Sequence, residues 1–267
     1  MNTRTAMLIR ASWMVMCLCL PIGSTSANEL PPASNKQTST QELALSPAHA
    51  QTEALTKEQL ANIETLYRQP AEAEALGTLS QQLNLQLDTR GQFIQLRHLQ
   101  VLKKPLLSQG QFIFSPAQGL VWQQQRPFNT LMVLKDQQLI QQNSQGKVQQ
   151  LNAAASGSPI AQQLPRLLQA IMAGDIDGLS ADFNLFMPAT QQAGAPWQLG
   201  LQAKDPQVQA SIGNITLSGD SQLRSLMMTS SQADNSDYTQ IQFIDVQQGP
   251  LSASELALFN ISNESAQ

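Results

Sequence analysis

Cysteine is nearly absent from this chain, which holds only Cys17 and Cys19, both within its first 20 residues. The residues around them have the pattern of a secretory signal peptide: Arg4 and Arg10 precede an apolar run, and small residues stand at the expected cleavage site. We expect residues 1–27 to be removed on export to the periplasm, which leaves a chain without cysteine. Disulfides are then excluded, and a hydrophobic core must hold the remaining chain together.

Long hydrophobic runs are missing as well. The apolar stretch Ala11–Leu20 is too short to span a bilayer, so a retained membrane anchor is the weaker interpretation. Residues 28–51 are rich in Pro, Ser, Thr, Gln and Ala without any apolar period, and they are predicted to form a flexible leader. Residues 52–267 are long enough to form one domain with its own core, and a single domain is predicted.

Groups that carry out chemistry are scarce. Of the two histidines, His49 lies in the predicted leader and His98 alternates on a predicted strand with no acid nearby, so a Ser-His-Asp site is not favoured. Residues Asp175–Gly178 resemble a calcium loop, but the glycine comes too early and no glutamate follows at the required distance. The sequence also lacks a glycine-rich phosphate loop and a cluster of metal ligands. It therefore predicts a binding protein without metal or cofactor rather than an enzyme, and only carboxylates paired by the fold stay open.

Charged residues make up only 13% of the chain and are unevenly placed. Without residues 1–27, nineteen acids outnumber thirteen Lys and Arg, which argues against nucleic acid as a partner. The segment from Arg90 to Lys147 reverses this balance, with seven basic residues and a single acid, Asp136. This asymmetry predicts either a surface that steers an acidic partner or lipid headgroups, or an ordinary solvated face of a sheet.

Two apolar periodicities are present in residues 52–267. Helical spacing occurs at residues 55–67, 71–87 and 158–183, and a short helix is predicted near 253–258. Alternation with a period of two predicts strands at 90–99, three more within 110–134, and others at 137–142, 146–151, 197–203, 208–217, 222–229 and 238–246. Strands about ten residues apart, with turn residues between them, predict an antiparallel meander interrupted by helix, which is an α+β fold.

The stretch Gly110–Leu134 concentrates large apolar side chains on short strands. Because side chains alternate along a strand, Phe112 and Phe114 share one face of the first strand, and Leu120 and Trp122 share one face of the second. Such faces need an apolar partner. The pattern leaves two choices open, a packed core or a bound apolar ligand, and a packed core is the more frequent case.

A series of short motifs follows a fixed order along the chain. It comprises Phe-x-Gln at Phe93–Gln95, a strand opening at Gly110, Leu-Val-Trp at Leu120–Trp122, Pro127, the apolar strand Leu131–Val133, a helical interruption, Trp-x-Leu-x-Leu at Trp197–Leu201, and three closing strands. This order resembles the LolA-type family of periplasmic outer-membrane lipoprotein carriers. The resemblance extends from about residue 76 to residue 246, and the chain is most similar to a divergent branch of that family.

The resemblance implies an incomplete antiparallel β-barrel, that is, a curved sheet whose concave face is covered by helices. The helices at 55–67 and 158–172 are expected to cover a cavity for acyl chains, with Ile113 and Val121 pointing away from it. The resemblance and the shared faces together predict that seven residues contact lipid: Phe93, Phe112, Phe114, Leu120, Trp122, Leu131 and Val133.

One feature of the family is missing. In the housekeeping carriers an arginine in the turn before the tryptophan-bearing strand holds the lid by hydrogen bonds. Ser115 and Pro116 stand at the equivalent positions here, and Pro116 has neither charge nor backbone donor. The resemblance therefore implies that this latch is absent or rebuilt.

These features predict a monomeric periplasmic carrier that holds acyl chains of lipoproteins or related lipids and ferries them towards the outer membrane. The resemblance implies an inner-membrane donor and an outer-membrane acceptor as partners. Two alternatives stay open. One is export of a different lipid or lipid-linked product, with which the divergent branch is associated. The other is a periplasmic scaffold whose apolar faces are all core and whose basic segment binds a protein.

Overall fold

The structure is a computed structural model that describes residues 57–83, 87–136, 138–152, 167, 169–188, 196–229 and 237–260. The predicted signal peptide and leader lie outside these residues, as does most of the predicted helical segment before residue 167. Within the described ranges, no helix combines the length and apolarity needed to cross a bilayer.

The described residues contain eleven strands that form one antiparallel sheet. In chain order they are β1 (Thr89–His98), β2 (Leu106–Ser115), β3 (Gly119–Arg126), β4 (Thr130–Lys135), β5 (Gln138–Gln142), β6 (Val148–Asn152), β7 (Phe183–Phe186), β8 (Trp197–Ala203), β9 (Asn214–Gly219), β10 (Leu223–Thr229) and β11 (Tyr238–Gln248). The order across the sheet is β6-β5-β4-β3-β2-β1-β11-β10-β9-β8-β7. Two meanders are thus joined where β1 pairs with β11, and β6 and β7 remain as the edges of an open sheet.

Helices lie on both sides of this sheet. They are α1 (Lys57–Leu66), α2 (Ala73–Leu83), α3 (Ile176–Asp182), α4 (Pro206–Ile212) and α5 (Ala253–Ala257), with a 3-10 turn at Leu258–Asn260. Residues 167 and 169–173 are also helical, and we call them the covering segment. The α+β fold with an open antiparallel sheet, predicted from the sequence, is confirmed.

One predicted strand is wrong. Residues 208–217 divide into α4 and β9, because a strong helix start precedes them. The Asp205 carboxylate accepts hydrogen bonds from the backbone N–H groups of Gln207 (2.8 Å) and Val208 (3.0 Å), and Pro206 occupies the first turn, where it suits a helix. The four-residue strand β7, directly after α3, is too short for alternation to reveal it.

The register decides which side chains share the concave face. Phe93 of β1 lies opposite Phe243 of β11, and Phe112 of β2 lies opposite Trp122 of β3. Since successive side chains alternate, these residues all project from the same side of the sheet. Apolar residues of α2, the covering segment and α3 pack against that side: Leu79, Leu83, Leu167, Ile171, Ile176 and Leu179.

The helix α1 lies on the opposite, convex face, where Ile63 packs against Leu96, Met227 and Tyr238. The prediction that this N-terminal helix covers the cavity side is therefore wrong. The physical reason is that β1 carries apolar side chains on both faces, so those on its convex face must also be buried against another element. After α1, the backbone N–H of Ala71 donates to the Leu185 carbonyl (2.9 Å), which shields part of the β7 edge.

The C-terminal residues 251–260 cover another part of the convex face. Phe259 is buried there in contact with a cluster formed by Ile113, Val121 and Val133. Glu255 fixes this segment: it accepts a hydrogen bond from the backbone N–H of Ser252 (2.7 Å) and forms an ion pair with Arg90 (3.5 Å). The hydrogen bonds from Ser252, assisted by the Arg90 charge, lower the pKa of the Glu255 carboxyl.

Candidate functional site

Four aromatic side chains form the centre of the concave face. Phe93 and Trp122 stack with ring centroids 3.8 Å apart, although β2 runs between their strands. Phe243 meets Phe112 edge to face at 5.3 Å and Trp122 at 6.3 Å. The stacking is possible because Gly110 stands opposite Phe93 in β2. A Cβ at Gly110 would also overlap the backbone of β3, so glycine is required here by close approach.

Towards the β2–β3 turn the concave face becomes mainly aliphatic, apart from Phe114. Phe114, Leu120 and Leu134 form a buried cluster, and Met172 and Ala173 of the covering segment pack against it. Met172 also contacts the larger cluster that contains the aromatic centre. The covering segment therefore bridges the two parts of the apolar face.

The structure brings five of the seven predicted lipid-contacting residues together. Phe93, Phe112, Phe114, Leu120 and Trp122 all project from the concave face.

The other two, Leu131 and Val133, lie on the convex face, so their assignment to the same surface is wrong. Val133 stands opposite Val121 in the register and packs with Ile113 under the C-terminal segment, while Leu131 packs beside this cluster. The inward positions of β4 are instead held by Met132 and Leu134, which stand opposite Trp122 and Leu120.

Sequence reasoning missed Phe243, which completes the aromatic centre. The alternation at residues 238–246 contains the signal, because Ile241 and Phe243 occupy the same parity in β11. What alternation cannot supply is the pairing of β11 with β1, which joins strands separated by more than 130 residues of chain. The sequence likewise could not identify Leu134, Met172 and Ala173 as part of the site, because their contacts depend on where the covering segment lies.

Among the described residues, the helices over the concave face and the strands beneath them line a small apolar cavity of about 20 Å³. Its lining combines covering elements and sheet: Leu83, Ile171, Met172, Gly174, Ile176, Leu179, Trp197, Leu217 and Leu223. A volume of this size holds about one water molecule, far below the several hundred Å³ typical of ligand pockets.

The contacts that hold the covering elements differ from an arginine latch. Ser115 accepts a hydrogen bond from the backbone N–H of Gln118 (3.3 Å), which closes its own turn. The covering elements are held by apolar packing and by hydrogen bonds at their ends. The Gln82 amide of α2 donates to the Asp220 carbonyl, which ties α2 to the β9–β10 turn. The Lys204 ammonium donates to the carbonyls of Ser180 (2.7 Å) and Ala181 (3.2 Å), which ties α3 to the loop after β8.

The site offers burial rather than reactive groups. Among the residues that the structure describes, no three or more His, Cys, Asp or Glu side chains lie together in a way that would hold a metal ion. The aromatic centre and the aliphatic part present no charged group. A surface of this kind favours the binding of an apolar ligand.

Comparison with known proteins assigns the family. The family model described as "Outer membrane lipoprotein carrier protein LolA-like" matches residues 68–240. No curated protein matches the sequence.

Several solved structures are similar to the chain. They include a LolA superfamily protein from Nitrosomonas europaea, with 8% sequence identity and a TM-score of 0.40 over 70% of this chain and 97% of that one. A putative outer membrane lipoprotein-sorting protein domain from Vibrio parahaemolyticus has 7% sequence identity and a TM-score of 0.41 over 70% of this chain and 97% of that one. MucB in complex with periplasmic MucA is a third, with 12% sequence identity and a TM-score of 0.34 over 69% of this chain and 59% of that one. At these TM-scores the assignment rests on the family match, which covers well over half of the residues: the chain belongs to the family of LolA-like outer-membrane lipoprotein carrier proteins.

Proposed function

We propose that the protein is a periplasmic carrier that binds acyl chains of lipoproteins or related lipids on its concave face. The observation that supports this most is the continuous apolar surface from Phe93 through Trp122 to Leu134, in a protein of the LolA-like family. We further propose that it receives its cargo from an inner-membrane donor and passes it to an outer-membrane acceptor.

Uptake of an acyl chain on this face requires the covering segment to move, because its residues pack over the aromatic centre and the aliphatic part. Movement of the whole segment exposes the partly buried Met172 together with Leu167 and Ile171, which are buried in the larger cluster. Exposing three such side chains costs about 4.5–9 kcal/mol, and each buried methylene returns about 0.8 kcal/mol. About six to eleven methylenes thus offset the movement, and a longer chain gives net, reversible affinity.

A fatty acid that is brominated along its chain tests where the ligand binds. Bound on the concave face, it should quench the emission of Trp122, which lies in the aromatic centre. Trp122→Phe should remove most of this quenching, whereas Trp197→Phe should leave most of it, because β8 lies six strands away from β3 along the sheet. Quenching that survives Trp122→Phe undiminished would place the ligand elsewhere.

The cargo is identified by extracting lipids from the protein purified from its own periplasm and by native mass spectrometry of the same sample. Lipoprotein acyl chains would support lipoprotein transport, and another co-purified lipid would support the export alternative. If neither sample contains lipid and no fatty acid binds, the carrier proposal fails and the scaffold interpretation replaces it.

A further inference from the structure

The β1–β2 hairpin exposes a run of apolar side chains. Val101 is 87% exposed, Leu107 52%, Leu106 44% and Leu102 38%. Single exposed apolar residues are common on protein surfaces, but four within seven consecutive residues make the whole hairpin tip apolar, and a concentration of this kind marks an interaction site. The function proposed for the concave face does not use them.

This hairpin projects beyond the neighbouring strand. The pairing of β2 with β1 begins at Leu106, whereas its pairing with β3 begins only at Gln109, opposite Arg126. Three residues of β2 therefore extend past β3, which is about 10 Å at the rise of an extended strand, and the connecting loop lies farther out. Leu106 and Leu107 point to opposite faces of the sheet and are both exposed, so the tip stands clear of both layers of helices.

Two neighbouring turns lie at the same end of the sheet. The β3–β4 turn contains Phe128, which is 45% exposed, and it follows Arg126. The β5–β6 turn contains Lys147 and is placed here by the pairing of Gln142 with Leu131 at the start of β4. We call the exposed residues of this end the docking edge: Val101, Leu102, Lys103, Lys104, Leu106, Leu107, Arg126, Phe128 and Lys147.

The docking edge combines its apolar tip with positive charge. Lys103 and Lys104 lie inside the hairpin loop, and Arg126 and Lys147 flank it; all four side chains are exposed. Neither ion pair found within the described ranges of the chain involves them. An acid at this end, Asp237, accepts a hydrogen bond from the backbone N–H of Gln100 (2.7 Å), which fixes the beginning of the loop.

We propose that the docking edge binds the surface of an anionic lipid bilayer. The apolar tip would enter the boundary between headgroups and acyl chains, while the four cations meet the lipid phosphates. A narrow projecting tip suits a fluid surface better than a protein partner, because a stable protein interface needs about 800 Å² of complementary surface on each side. The proposal is independent of whether the concave face carries lipid.

The charge contribution predicts a measurable size of effect. A Lys or Arg near an anionic membrane strengthens binding about fivefold, so removing two should weaken it roughly 25-fold. Because these charges are exposed, raising the salt concentration should weaken binding as well. The apolar contribution should persist at high salt.

The test is co-sedimentation with vesicles of phosphatidylglycerol and phosphatidylcholine, compared with vesicles of phosphatidylcholine alone. The protein is produced with its own export signal and purified after processing, with its first residue checked by mass spectrometry. One variant combines Lys103→Gln with Lys104→Gln, and a second combines Val101→Ser with Leu107→Ser. The matched controls are Arg68→Gln, an exposed cation after α1, and Leu87→Ser, an exposed leucine at the opposite end of β1.

We expect salt-sensitive binding to the anionic vesicles, a loss of at least tenfold in both hairpin variants, and wild-type binding in both controls. Circular dichroism should be unchanged throughout, because every altered side chain is exposed. Equal binding to both vesicle types, no binding, or full binding by the hairpin variants would each overturn the proposal. Leu120→Glu, which alters the concave face, should keep vesicle binding, so the failure of the carrier proposal remains distinguishable from failure of this one.

Discussion

Two adjacent residues of β3 provide the sharpest test of the carrier proposal. Leu120 and Val121 are each 1% exposed, but Leu120 faces the covering segment and Val121 faces the C-terminal segment. Replacing each by glutamate gives two variants whose introduced carboxyl groups lie at neighbouring positions of the chain but on opposite sides of the sheet. If the covering segment moves as proposed, these two substitutions have different costs.

Val121→Glu should nearly unfold the protein at neutral pH. The introduced carboxyl is enclosed by Ile113, Val133 and Phe259, so it has to stay protonated. Keeping it protonated at pH 7, when its pKa in water is about 4.3, costs about 3.7 kcal/mol. Loss of the buried valine adds about 2 kcal/mol. The total is comparable to the whole stability of many domains, which is about 5–15 kcal/mol.

Leu120→Glu should cost only about 3 kcal/mol, because the end of the covering segment beside it, at Met172 and Ala173, can move aside and admit water to the carboxyl group. The expected loss is then limited to the burial of Leu120 and to contacts with Met172 and Ala173. The variant should stay folded but lose fatty-acid binding, because a charge in the site disfavours an acyl chain.

Thermal unfolding at pH 5 and pH 8, followed by circular dichroism, separates the two outcomes. A carboxyl group whose pKa is raised by burial destabilises the fold more as the pH rises above its unfolded value of about 4.3. Val121→Glu should therefore unfold at a higher temperature at pH 5 than at pH 8, whereas a hydrated carboxyl at position 120 should give little difference. Equal destabilisation with equal pH dependence would refute the movable cover. A folded Leu120→Glu variant with undiminished binding would refute the concave face as the binding surface.

Three further predictions concern the C-terminal segment and the aromatic centre. Phe259→Ala should lower the free energy of unfolding by about 3–4 kcal/mol in denaturant titrations, while Leu256→Ala, at an exposed position of the same segment, should change it by less than about 0.5 kcal/mol. Gly110→Ala should destabilise the protein and reduce the near-UV signal of the aromatic centre, whereas Gly77→Ala, which meets open space in α2, should be neutral or stabilising by up to about 1 kcal/mol. The lowered pKa of Glu255 means that its stabilisation is present above the unfolded pKa and is lost as the pH falls through the folded one. Glu255→Gln should therefore flatten the acid limb of a stability–pH profile, and an unchanged limb would contradict the assigned contacts.

Local pattern was enough to predict much of the sheet. The period of two groups Phe112 with Phe114, and Leu120 with Trp122, by parity alone, because a strand's pleat is a property of the backbone. The register between β2 and β3 then places both pairs on one face of the sheet. The same rule failed at β4, where four consecutive residues, from Leu131 to Leu134, are apolar. Alternation carries no information there, so the choice of face depended on pairing with β3.

The sequence by itself determined most of the strands, the antiparallel meander and the scarcity of reactive groups, since each depends on neighbours in the chain; β7 and the division of residues 208–217 into α4 and β9 escaped it. Only the tertiary structure decided which surface each helix covers. Both faces of β1–β4 are apolar, so α1 and the C-terminal segment had an outer surface to bury while α2, α3 and the covering segment took the concave one. That division depends on the pairing of β1 with β11 and on contacts between residues far apart in the chain, which local periodicity cannot predict.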